Sequence, residues 1–359
     1  MRRVIALSLL LAGAASLQAQ GIWDSNLRTG PQYYSYTIHG TEKINELAVP
    51  MIVSVPVISH LNLDVGTAFA TVNLTRTNAD SSVTESSASG ITDTQIRANY
   101  SLANDLVVIT AGVNLPTGSS TITPDQLEAA TRIGSDFLSF PVSGFGSGMG
   151  FTGGAAFARA LGVWNVGLAG SVRQSSEYTP FRDAADSAVK FTPGPEMRLR
   201  FGVDHPYGTG RIAFGVMMFR FGDDKANAAT YNTGNRIVTQ LAVSNALSDV
   251  TDYSIVFWNL HRSAGTLIDG SVSPSSDMTN ALFALSRRAG SVSIQPNFET
   301  RLIVGQELAK TNVLATAGIR LVIPMGRWTF VPGFGFSGGA MDQGSVTGFR
   351  GTLASRVGN

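Results

Sequence analysis

The chain has 359 residues, of which 14% are charged and 43% hydrophobic, with 39 glycines, no cysteine and a formal net charge of +1. The near-zero balance argues against a nucleic-acid partner, which calls for a basic face, and the lack of cysteine excludes both disulfide staples and a lipid-bearing cysteine. Charge this sparse, against about 25% in typical globular proteins, leaves little to cover a fully solvated surface.

Arg2 and Arg3 precede a short apolar run from Val4 to Ala12, and Leu17-Gln18-Ala19 ends on the small residue that signal peptidase requires. Residues 1–19 therefore read as a secretory signal cut after Ala19, because the run is far shorter than the roughly 20 residues that span a bilayer. Without Arg2 and Arg3 the mature chain carries a net −1. Residues 20–31 read as a periplasmic N-terminal segment, and 32–359 as a single domain. The most apolar later stretch, Leu47 to Ile58, is broken by Pro50 and Pro56 and is too short for a spanning helix.

From there the pattern has a period of two. Ile96, Ala98, Tyr100 and Leu102 alternate with Gln95, Arg97, Asn99 and Ser101; Trp164, Val166 and Leu168 alternate with Asn165 and Gly167. Met197, Leu199, Phe201 and Val203 alternate with Arg198, Arg200, Gly202 and Asp204, and Ala317, Ile319 and Leu321 alternate with Gly318 and Arg320. Such alternation predicts strands. In chain order they fall at 32–39, 44–56, 61–76, 91–103, 105–115, 148–161, 164–176, 195–205, 210–222, 236–247, 251–263, 280–288, 291–305, 312–324, 327–337 and 345–357. Tight connections alternate with long ones at 77–90, 116–147, 177–194, 223–235 and 264–279. Alternating short and long connections mark an all-β, antiparallel, up-and-down transmembrane β-barrel, with short periplasmic turns and long extracellular loops. The strand number is about 16, or 14 if one weak hairpin is lost. Alternate residues then face lipid, which accounts for the low charge.

The Ser-rich stretch 77–90 reads as a mobile surface loop. Within 116–147, Thr123-Pro124-Asp125-Gln126 has the form of a helix start, with Thr as N-cap, Pro at the first position and Gln at the third. The apolar Phe137, Leu138, Phe140 and Phe145 follow it, and are gate-loop candidates if this loop folds into the barrel mouth; the alternative is an external loop packed on its own aromatics. The polar strand faces carry Asp64, Asp93, Arg97, Arg173, Arg198, Arg200, Asp204, Glu299, Arg301 and Arg320, which are the pore-lining candidates. They would either set the field for permeating solutes or brace the wall as ion pairs. Trp164, Trp258, Trp328, Tyr34, Tyr36 and Tyr100 are candidates for interfacial girdles.

Catalytic chemistry finds no foothold. His39, His60, His205 and His261 lack metal-ligand spacing, and the neighbouring pairs His261/Ser263 and His205/Asp204 do not form a competent dyad. No metal, cofactor or catalytic residue is expected.

The run Gly90-Ile91-Thr92-Asp93, followed by Gly112-Val113-Asn114-Leu115-Pro116-Thr117-Gly118, resembles a hairpin of outer-membrane proteins associated with the phenol meta-cleavage pathway. That group is more distantly similar to outer-membrane transporters of fatty acids and aromatic hydrocarbons. The resemblance covers about residues 44 to 175. It implies a bacterial outer-membrane barrel that transports small, hydrophobic or aromatic, organic solutes, with outer-membrane lipid and the barrel assembly machinery as partners. In one respect the chain departs from such barrels: it ends Ser355-Arg356-Val357-Gly358-Asn359 rather than on an aromatic residue. The competing function is a structural or adhesion barrel acting through its loops.

Overall fold

In lipid an unpaired backbone N–H or C=O has no water to turn to, so a sheet that spans must close on itself. The computed structural model describes residues 25–58, 60–182, 187–305, 311–341 and 344–358; the signal segment 1–19 lies outside them. Sixteen antiparallel strands form one closed barrel. They are β1 (Ser25–Thr29 continued as Gln32–Ile38), β2 (Glu42–Ile58), β3 (Leu61–Thr77), β4 (Val83–Ile91 continued as Thr94–Leu102), β5 (Val107–Leu115), β6 (Gly150–Leu161), β7 (Trp164–Ser175) and β8 (Glu196–Tyr207). The second half comprises β9 (Gly210–Phe221), β10 (Arg236–Ser248), β11 (Thr251–Arg262), β12 (Ser276–Ala289), β13 (Val292–Gly305), β14 (Asn312–Met325), β15 (Trp328–Met341) and β16 (Gly344–Gly358). Each pairs with its neighbour in sequence, and β1 closes the barrel on β16, for instance Tyr34 opposite Arg350.

Besides shifts of up to four residues at strand ends, as at Ser276 and Met341, two segments differ in kind from the sequence reading. Val83–Ile91 is not a loop but the upper half of β4, paired from Phe69 opposite Ile91 to Thr77 opposite Val83. Its serines misled because this part of the strand is covered on its inner side and needs no apolar residues there. Ser25–Thr29, placed before the barrel by the sequence, pairs with both β16 and β3's neighbour β2.

The alternation divides the wall into two faces. Leu199, Phe201, Phe214, Leu241, Phe257, Phe283, Phe298 and Phe334 point outward and are exposed as a lipid-facing band. Trp164, Trp328 and Tyr100 are also exposed, whereas Tyr34, Tyr36 and Trp258 are buried on the inner side and cannot belong to a girdle. In each case the strand's parity decides. A small four-stranded sheet (Tyr178–Arg182, Ala188–Thr192, Asp224–Ala226, Ala229–Tyr231) is built from the loops that follow β7 and β9. Burial there raises the Tyr178 hydroxyl and the Asp224 carboxyl above their usual ranges. No helix of the described residues is long and apolar enough to cross a membrane.

The two faces predict opposite responses at adjacent positions. Leu241→Arg, on the lipid side, should cost about 2–4 kcal/mol near the bilayer midplane. Gln240→Arg, on the inner side, should cost well under half as much. Urea unfolding of protein refolded into lipid vesicles measures both.

Candidate functional site: the inserted loop and the inner wall

The connection 116–149 is folded inside the barrel. Its 3-10 turn (Pro124–Gln126) runs into a short helix, α1 (Leu127–Ile133). At the start, the Thr123 N–H donates to Gln126 Oε1 at 3.1 Å, as the Thr-Pro-Asp-Gln pattern predicts. Ala129 and Ile133 of the helix, then Phe137, Leu138, Phe140, Val142 and Phe145, are buried in one cluster with the inner faces of β1 to β4 and with Leu314, Met341 and Val346 on β14 to β16. Wall residues in that cluster include Tyr34, Tyr36, Ile44, Ala70, Val72 and Leu74. Phe140 stands edge-on to Tyr36 with ring centroids 5.5 Å apart, a favourable quadrupolar arrangement. The apolar inner wall here explains itself: it is covered by protein rather than by water.

Polar contacts fix the loop at several heights. Arg132 bridges to Glu42 at 2.6 Å, and Arg76 to both Glu42 (3.0 Å) and Glu128 (3.1 Å). Ser86 Oγ receives the Ala129 N–H at 3.2 Å and donates to the Asp125 carbonyl. Glu46, fully buried on β2, accepts the Val142 N–H at 2.9 Å. From the opposite side Arg262 reaches Asp136 at 3.1 Å, and Arg301 donates to the Phe137 carbonyl.

The neck of the loop is tied by one carboxylate. Between Gly66 opposite Gln95 and Phe69 opposite Ile91, strand β4 carries one residue more than β3. This bulge exchanges the inward parity of β4, from even residues above it to odd residues below. It turns Asp93 inward, where it is buried. Its Oδ1 accepts the Gly118 N–H at 3.1 Å, where the loop begins; its Oδ2 accepts the Ser147 N–H at 2.7 Å, where the loop ends. Asn114 Nδ2 donates to the same Oδ2 at 2.8 Å and also to the Gly148 carbonyl. Charge-assisted bonds of this kind are about twice as strong as neutral ones. Gly118 has no room for a side chain, since a Cβ would fall 2.1 Å from the Phe145 carbonyl oxygen. The Gly90–Asp93 and Asn114–Gly118 runs noticed in the sequence are thus the two halves of a clasp.

The other inward charges are distributed along the barrel. Asp64 accepts from Ser54 (2.7 Å) and Asn99 (2.8 Å), and lies opposite Arg97 across the sheet. Arg173 donates to Ser147 beside the clasp. Arg198 pairs with Glu196 and lies over Phe219, while Arg200 is its inward neighbour on β8. Asp204 binds Arg211 at 2.8 Å. Glu299 binds Arg301 (2.8 Å) and Arg350 (3.0 Å), and Arg320 points into the same region. Sequence reasoning passed over Glu42, Glu46, Glu196, Arg211 and Arg350. Alternation could have found the last three; Glu42 lies just before the strand start placed at 44, and Glu46 just before the apolar stretch that begins at Leu47. The histidines are dispersed: His39 bonds the Met341 carbonyl, His205 stacks on Trp164 and His261 pairs with Asp277. Among the described residues no three His, Asp or Glu side chains gather as a metal site would require.

No model of a protein family matches the chain, and no curated protein matches it either. In fold it is similar to a bacterial polysaccharide outer membrane secretin, at 9% identity and a TM-score of 0.50 over 94% of this chain and all of that one. An anion-selective porin from Comamonas acidovorans gives 9% identity and a TM-score of 0.41, over 91% and 98% of the two chains. An outer membrane channel from Pseudomonas putida F1 gives 11% and 0.39, over 93% and 96%. The chain has the fold of the outer-membrane β-barrels. The resemblance to phenol-pathway or fatty-acid proteins finds no support beyond that class.

If Asp93 holds the neck, Asp93→Ala should free the loop without opening the barrel. Limited trypsin digestion of the refolded protein should then cut after Arg132 at least tenfold faster than in the wild type, with the β-sheet circular dichroism unchanged. Gly118→Val should do the same by steric exclusion.

Proposed function

We propose that the protein is an outer-membrane channel for the passive uptake of small organic solutes, hydrophobic or aromatic ones among them, through a lumen narrowed by the 116–149 loop. It would reach that membrane after export and insertion by the barrel assembly machinery, with lipid around it and no catalytic role. The observation that carries this reading is the asymmetry of the interior. The loop fills the side lined by β1 to β4 with packed apolar side chains. Lower down, the part of the wall formed by β11 to β16 keeps polar and charged side chains around open space, including Asn280, Asn297, Arg320 and Arg350. A barrel acting only through its outer loops has no use for such a surface, which costs desolvation unless water or solute wets it. The apolar cluster then sets the width of the path, and the arginines set its field.

Refolded protein in planar bilayers should show discrete conductance steps. Deleting residues 120–145, so that Gly118 and Ser119 lead directly to Gly146, should raise the unit conductance several-fold. A correctly folded but silent wild-type protein would sink the channel reading. Unchanged conductance on deletion would remove the loop from the path.

A further inference from the structure

On the open side, at mid-height of β11 to β16, lies a cavity of about 110 Å³. Its floor is unusual. Gly333 lies opposite Arg320 on β14 and Thr352 on β16, and Gly335 lies opposite Arg350. A Cβ on Gly333 would sit 3.0 Å from the Arg320 Cγ, and one on Gly335 3.1 Å from the Arg350 Nε. The two glycines therefore leave shallow troughs in which the arginine stems lie flat on the sheet. The stems run along the wall instead of standing across the lumen, and the cavity stays open between them.

Charge in this niche does not balance. Arg301 and Arg350 share the single carboxylate of Glu299, which also accepts from the Asn280 amide, and Arg320 lines the same cavity. Arg320 has no carboxylate within ion-pairing distance among the described residues, and its buried Nε has no hydrogen-bond partner. A guanidinium removed from water without an acid is costly unless something else supplies acceptors. On the adjoining strands β11 and β12 the lining includes Val256, Leu282 and the buried Trp258, beside Asn280. Cationic donors on one side and an aromatic, aliphatic surface on the other match a molecule with one acidic head and a compact apolar body.

We propose that this niche is a binding site for small monocarboxylates with an apolar body, the carboxylate accepting from Arg320 and the body lying against Trp258 and Leu282. The assignment names a solute class for the channel and so rests on the reading above. Arg350, held by Glu299, positions the second face of the head group, and the planar guanidinium of Arg320 offers the paired donors that a carboxylate accepts.

Calorimetric titration of the refolded full-length protein in detergent tests the site apart from conduction. The probes are benzoate, benzyl alcohol and benzylamine, which share a ring and differ in charge. Benzoate should bind saturably and at least about tenfold more tightly than either of the others, as loss of a charged hydrogen bond implies. Arg320→Gln should abolish that preference while leaving benzyl alcohol unchanged. Equal binding of the three probes to the wild type would overturn the proposal without any variant, as would an Arg320→Gln protein that keeps its benzoate preference. A protein that binds benzoate but never conducts would instead overturn the channel and leave the site standing. One that conducts without discriminating the probes would do the reverse.

Discussion

The demand that every backbone group find a partner within the protein shapes this molecule more than any side-chain contact. It obliges β1 to meet β16 across nearly the full length of the sequence, and leaves no edge facing lipid within the span. Closure fixes an inside and an outside, and a strict two-residue alternation then assigns each side chain to one or the other. A bulge is the only cheap way to change that assignment along a strand. Here one bulge, at Thr92 to Thr94, brings a carboxylate inward at the height where the longest loop enters and leaves.

The loop itself solves a second problem. An interior this wide cannot be filled by wall side chains alone. In this barrel part of it is filled by an inserted segment that shares an apolar core with the wall, in which Leu138 and Ile133 are as buried as residues of a soluble domain. The ion pairs at Glu42 and Asp136 then hold orientation more than they add stability, since their partners are partly exposed. What remains is an interior of two characters: packed and apolar on one side, open and cationic on the other.

Much of this was readable from the residues in order. Alternation in Met197–Asp204 or Ala317–Ile323 located strands to within a few residues, because one face must meet lipid whatever the family. The ten inward charges follow from the same parity. The apolar Phe137–Phe145 run pointed to a loop with something to bury. What could not be read was where parity changes or what covers the inner wall. Val83–Ile91 looked like a loop because its inward Ser86 and Ala88 rest on a helix about 40 residues further along the chain. Tyr34, Tyr36 and Trp258 suggested a girdle because an aromatic residue alone does not say which face it occupies. The neutralising partner of an inward charge lies on another strand, and only the register of the closed sheet names it.

The order in which the loop's neighbours occur along the chain carries a consequence for assembly. Most of the wall on which it rests, β1 to β4, precedes it in the chain, and only Leu314, Met341 and Val346 of its apolar bed follow it. Arg262 and Arg301, which hold Asp136 and the Phe137 carbonyl from across the lumen, lie 126 and 164 residues later. Such distant contacts bear the full entropic cost of loop closure and form late. The order of the chain thus supplies the segment's first support from β1 to β4 and its cross-lumen ties only from β11 and β13, while the space beside those ties stays open.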